Sequence, residues 1–81
     1  MDRFHQMQVF VAVAESDGFA AGARRLQLSA PAVTRASAGL EDDLGVKLLQ
    51  RTTRSMRLTE AGQRYLEDAR RILIEVAEAD E

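Results

Sequence analysis

Apolar residues recur along the first stretch of the chain at helical intervals. Phe4, Met7, Val11 and Ala14 lie three or four positions apart, with Phe10 and Val13 widening the stripe. That spacing places them on one face and predicts a helix over residues 2–16, capped by Asp2 and punctuated by Asp17-Gly18. A shorter helical pattern runs from about Ala20 to Leu26, with Ala23 and Leu26 facing inward. Gly22 lowers helix propensity by about 1 kcal/mol relative to alanine, so a close helix crossing is the expected reason for it. Only Gln27 and Leu28 separate this pattern from a third helix opening at Ser29. The Ser29 hydroxyl can accept a first-turn N–H, and Pro31 is tolerated because those N–H groups lack intrahelical acceptors. Val33, Ala36, Leu40 and Leu44 mark the buried side, and Ala30, Thr34, Arg35 and Ala38 the opposite side. Ser37 falls inside the buried stripe, its hydroxyl either bonded to the Val33 carbonyl one turn back or bordering a small polar gap. Gly45 is suited to a left-handed helix end.

After Gly45 the period shortens. Residues 46–49 and 55–58 alternate loosely, as short strands do, around the polar, basic tip Gln50-Arg51-Thr52-Thr53-Arg54. Thr59 caps a last helix running to about Ala79, with Glu60 near its positive end. Tyr65, Ala69, Ile72, Val76 and Ala79 repeat alternately four and three apart, the spacing of a helix–helix seam, and Leu66 and Leu73 add a second stripe. The second half of this helix extends beyond what the rest of so short a chain can cover, so a second copy is expected against it.

The two short helices joined by a tight turn have the shape of a helix-turn-helix. The predicted fold is mainly α: a winged helix-turn-helix, with three helices plus a two-stranded β-hairpin wing, followed by a long linker or dimerisation helix. The boundaries are 1–59 for the winged unit, with the helix-turn-helix at about 19–38 and the wing at about 46–58, and 60–81 for the linker helix.

Composition then narrows the partners. The 81 residues suffice for one domain in which burial is marginal. Without cysteine there is neither a disulfide nor a zinc finger. No apolar run reaches the roughly 20 residues of a membrane span, and MDRFHQM lacks a basic segment followed by an apolar block, so no signal peptide is expected. A cytoplasmic, nucleoid-associated location is expected, with no membrane partner. The net charge of −2 is polarised: residues 24–57 hold seven cations against three carboxylates, a surplus of four, and the rest holds four against ten. The basic part is centred on the candidate motif and the hairpin. Arg51 and Arg54 at the tip suit phosphate or minor-groove contact; Arg24 and Arg25 read as solvated side chains able to touch phosphate.

These residues resemble the amino-terminal domain of LysR-type transcriptional regulators. The likeness rests on Phe19 and Ala23, Leu28-Ser29-x-Pro31-Ala32-Val33, Leu40-Glu41, Leu44-Gly45-Val46, Leu48-Leu49, the Arg51–Arg54 tip and Leu58-Thr59-x-Ala61-Gly62. The resemblance implies a winged helix-turn-helix, and a linker helix forming an antiparallel dimer. It also implies promoter DNA with dyad symmetry as partner, and tetramers of full-length chains. A small-molecule effector is implied for a carboxy-terminal domain absent here, with no cofactor in this chain. Carried over by position, Ser29, Ala30, Pro31, Thr34 and Arg35 meet DNA from the recognition helix, and Arg51, Thr52 and Arg54 from the wing. Tyr65, Ala69, Ile72, Leu73 and Val76 are the candidate dimer contacts. Two positions depart from the family: Ala30 stands where glutamine is usual, and Ser37 where a branched apolar residue is preferred. Alanine cannot bond a base edge, although its methyl can touch a thymine methyl.

Two other readings stay open. A winged-helix protein-interaction module fits the acidic total and the seam, but leaves the arginine tip and the Thr34-Arg35 face unused. Other winged-helix repressors, such as MarR-like proteins, fit the motif position and the long last helix less well. An enzyme is not expected. His5 is the only histidine, with no cysteine or metal-spaced carboxylates near it in sequence, and Glu41-Asp42-Asp43 read as a solvated helix end.

Overall fold

A computed structural model of the chain describes residues 2–16, 18–51 and 56–81. Its elements follow in the order α1 (Arg3–Glu15), α2 (Phe19–Leu26), α3 (Ala30–Leu44), β1 (Leu49–Arg51), β2 (Met56–Leu58) and α4 (Glu60–Ala79). Three of the four helices start at the predicted side-chain caps. Asp2 accepts from the Phe4 N–H, Ser29 from Ala32 and Thr59 from Gly62. Gly45 ends α3 at φ 70°, the left-handed role foreseen for it. The turn between α2 and α3 is made by Gln27, itself left-handed at φ 59°. Leu28 N–H there reaches back to the Ala23 carbonyl at 2.9 Å.

The core corrects the expected face of α1. Phe4, predicted inside, is 37% exposed, whereas Gln6 is completely buried, as are Val9 and Val13. The helix packs against α2, α3 and α4 together, so its middle is enclosed on several sides and no single stripe describes it. Gln6 stays inside because its polar atoms are matched: Nε2 donates to Asp43 at 3.2 Å and Oε1 accepts from Arg3 at 3.1 Å. Gly22 has the predicted reason, since a Cβ there would sit 2.9 Å from Val13 Cγ2 and 3.0 Å from Val13 Cα.

The hairpin is antiparallel, pairing Leu49 with Leu58, Gln50 with Arg57 and Arg51 with Met56. Its first strand begins at Leu49, three residues later than expected, and Val46 is 43% exposed. The cause is Glu41, whose Oε2 accepts the N–H groups of Leu48 and Leu49 at 2.7 and 2.9 Å. The Leu48 N–H thus turns toward α3, while its carbonyl still accepts the Thr59 N–H at 3.0 Å. Glu41-Asp42-Asp43 is therefore not simply a solvated helix end. Glu41 holds the hairpin, Asp43 receives Gln6, and Asp42 alone keeps no described side-chain partner.

α4 begins over the hairpin and leaves the core along its length. Gly62, Leu66 and Ala69 are buried, and Leu73 packs at the edge of the core. Beyond Leu73 the helix is mostly exposed. The long axis of the molecule is 41 Å against 26 and 22 Å for the others, consistent with a 20-residue helix of about 30 Å.

Candidate nucleic-acid interface

Burial of Val33, Ala36, Ser37 and Leu40 leaves one exposed ridge on α3. It carries Ala30, Pro31, Thr34, Arg35 and Ala38, five residues at helical spacing. Ser29, also exposed, sets the direction of the first turn by accepting the Ala32 N–H at 3.2 Å. The helix thus presents its positive end, a hydroxyl and a guanidinium on one side. Among the described residues no carboxylate pairs with Arg35 or Arg51, while Arg25 is held by Glu15 at 3.1 Å. That ion pair gives Arg25 an internal role the sequence did not reveal.

A groove of about 450 Å³ separates this ridge from the hairpin. Thr34, Ser37, Ala38 and Glu41 line it from α3, and Leu49, Gln50 and Arg51 from β1. The Arg51 guanidinium carbon lies 4.2 Å from the centre of the Phe19 ring, a cation–π contact that ties the base of the wing to the start of α2. Phe19 thereby holds an arginine as well as packing against the core. Gln50, the first residue of the polar tip, and Lys47 share the groove; neither is a predicted contact residue, and Lys47 has only its nearness to the tip as a signal. Thr52 and Arg54, the other tip candidates, lie outside the described residues.

The Ser37 hydroxyl is buried with no hydrogen-bond partner among the described residues. The bond to the Val33 carbonyl is therefore not made, and Ser37 borders the groove instead.

The second candidate surface is on α4. Ile72 and Ile74 are exposed, Ile74 to 58%, and Val76 and Leu73 are partly covered. Ala69 is a correction: it is wholly buried in the core of its own chain and has no surface left for a partner. Tyr65 is also engaged internally, with its ring edge-on to Phe10 at 5.5 Å. Burial pushes its phenol above the ordinary value, with Arg3 pulling the other way. The four-three repeat is equally suited to an inner and an outer seam, which is why the sequence merged the two. Ile74, absent from the predicted stripe, borders a groove of about 300 Å³ with Val11, Leu73 and Ala77, rimmed by Glu15, Arg25 and Arg70.

Comparison with known proteins gives a consistent result. Residues 4–63 match the family model described as bacterial regulatory helix-turn-helix protein, lysR family. The chain is 54% identical over 70 residues to the HTH-type transcriptional regulator TcbR of Pseudomonas sp. strain P51, covering 86% of this chain and 24% of TcbR. It is 47% identical over 81 residues to the HTH-type transcriptional activator AaeR of Escherichia coli K12, covering all of this chain and 26% of AaeR. Its fold matches the CbnR chain in a crystal structure of a CbnR DBD–DNA complex, with a TM-score of 0.91 and 48% identity over 98% of this chain and 91% of that one. The chain spans about a quarter of the length of these curated relatives.

Proposed function

The chain belongs to the LysR family of bacterial regulatory helix-turn-helix proteins, and from that premise we propose that it binds double-stranded promoter DNA and regulates transcription. The observation that carries this reading is the exposed α3 ridge, with Arg35 free of any carboxylate among the described residues, beside a wing whose Arg51 also has none there and rests on the Phe19 ring. α3 enters the major groove by its first turns. There Arg35 pairs the two acceptors of a guanine and Thr34 bonds a base or a phosphate. Ser29 and Pro31 aim the helix start at the backbone. Ala30 contributes a methyl in place of the amide usual in the family, which shifts site preference. Arg51, with Thr52 and Arg54 of the tip, takes the backbone or minor groove and fixes register.

Residues 1–59 form the DNA-binding unit and 60–81 the linker helix, whose first half is shared with the core. A second copy covers Ile72, Leu73, Ile74 and Val76, so that two recognition helices meet dyad-related half-sites about one DNA turn apart or a multiple of it. On this reading the full-length protein is a cytoplasmic, nucleoid-associated tetramer. A small-molecule effector belongs to a further carboxy-terminal domain. Among the described residues no helix is long and apolar enough to cross a membrane.

Fluorescence anisotropy with random duplexes at low salt tests the reading. Expected is binding that weakens linearly in log–log form as salt rises; no binding even at low salt would favour a protein-interaction module. On a selected site, Arg35→Ala should lose roughly 1–3 kcal/mol and relax preference at one base pair. An equal loss on every sequence would make Arg35 a phosphate contact instead.

A further inference from the structure

The wing is too small to orient itself. Each strand has three residues, and an isolated hairpin of that size is marginal in water. Its direction relative to α3 must come from anchors outside the hairpin. Glu41, on the last turns of α3, supplies one at the root of β1. A single carboxylate oxygen accepts the N–H groups of both Leu48 and Leu49, at 2.7 and 2.9 Å, while the other faces Lys47 Nζ at 3.8 Å. The side chain is only 11% exposed, and both donating residues are core residues. Two charge-assisted bonds at one oxygen fix direction as well as distance. Arg51 lies two residues beyond Leu49, about 7 Å along a strand, so any swing at the root moves its guanidinium directly.

We propose that Glu41 is a positioning residue for DNA binding, clamping the root of the wing to α3 so that Arg51 and Arg35 engage one duplex as a rigid pair. It touches no DNA itself, and its charge near the groove is stabilised by the two N–H bonds it accepts and faced by Lys47. The inference rests on the DNA-binding reading above and adds to it the device that sets the angle between its two contact elements.

The test measures the salt dependence of duplex binding for the unaltered chain, E41A, R51A and the double variant, each first shown by circular dichroism to be folded. E41A should lower the log–log salt slope about as much as R51A does, by about 0.9 for one lost phosphate contact. The double variant should bind no worse than R51A alone. E41Q, whose amide oxygen can still accept both N–H groups, should regain most of the slope. A full slope in E41A, or losses in E41A and R51A that multiply, would overturn the proposal, because a merely structural role leaves the wing contact intact in every folded molecule. If E41A does not fold, E41D carries the test: its carboxylate is one methylene short of the two amides. A lowered slope then supports the clamp and a full one overturns it.

Amide hydrogen exchange without DNA separates this inference from its premise. Leu48 and Leu49 amides should be protected in the unaltered chain and exposed in E41A or E41D, with α1 protection unchanged. Protection that persists in the variant sinks the clamp whether or not DNA binds.

Discussion

Ser37 occupies a position on α3 where Val33, one turn before, and Leu40, one turn after, are both buried hydrocarbon. Its hydroxyl is buried with them and finds no partner among the described residues. An unsatisfied buried polar group costs about 1–3 kcal/mol, and alanine is the better helix former. Ser37→Ala should therefore raise unfolding stability by about 1 kcal/mol in urea titration, with the helical spectrum unchanged. A loss of stability would show that the hydroxyl is bonded after all. The sequence marked Ser37 as anomalous, yet it could not choose between a bonded hydroxyl and a gap, because both leave serine in the buried stripe. Glu41 was harder still. Its spacing of four from Ser37 and three from Leu44 sets it beside the buried stripe, but its partners are main-chain groups of residues that look like strand, and those no side-chain pattern shows.

At the scale of elements, the hairpin and α4 are joined by main-chain contacts at close range. Thr59 caps α4 and its hydroxyl donates to the Lys47 carbonyl at 2.7 Å, while its N–H donates to Leu48 at 3.0 Å. A Cβ built on Gly62 would overlap the Leu48 carbonyl oxygen, a main-chain atom fixed by that bond. Gly62→Ala should thus destabilise the fold by about 1–3 kcal/mol as overpacking does, despite the gain of about 1 kcal/mol in helix propensity. Thermal melting checks the sign; an unchanged or higher melting temperature would mean the Leu48 carbonyl can move aside. Four helices and a hairpin were legible in the sequence because caps, periodicity and turn residues are local signals. The start of β1 was not, because it is set by a side chain on another element.

For the whole molecule, Glu15 joins three helices. Its carboxylate accepts from Arg70 on α4 at 2.6 Å and from Arg25 on α2 at 3.1 Å. The bond from Arg70 does most to hold its pKa below the ordinary carboxylate value, partial burial opposes this, and Arg25 adds to the lowering. A carboxylate with a depressed folded pKa adds stability at pH above its unfolded value, and that contribution is lost as pH falls through the folded one. Glu15→Gln should therefore lower the melting temperature at neutral pH, and the difference from the unaltered chain should shrink toward zero well below the usual carboxylate range. A difference that is constant with pH would remove charge from the account. The outer face of α4 is tested at the same scale. Sedimentation at high micromolar concentration should show a dimer for the unaltered chain and a monomer for Ile74→Glu or Ile72→Glu; a monomeric unaltered chain would end the dimer reading.

The order of elements, the side-chain caps of α1, α3 and α4 and the ridge bearing Thr34 and Arg35 were settled by the sequence alone, because each depends on interactions or spacings within a few residues. Asp2, Ser29 and Thr59 each bond a group two or three residues away. What joins the elements was decided in three dimensions. Gln6 meets Asp43 across 37 positions and Glu15 meets Arg70 across 55. The α4 repeat has the same period whether it faces α1 or a second chain, so Ala69 could be placed inside, and Ile74 outside, only once the helices were packed. Hydrophobic spacing states that a face is buried; the neighbour that buries it is a property of the assembled fold.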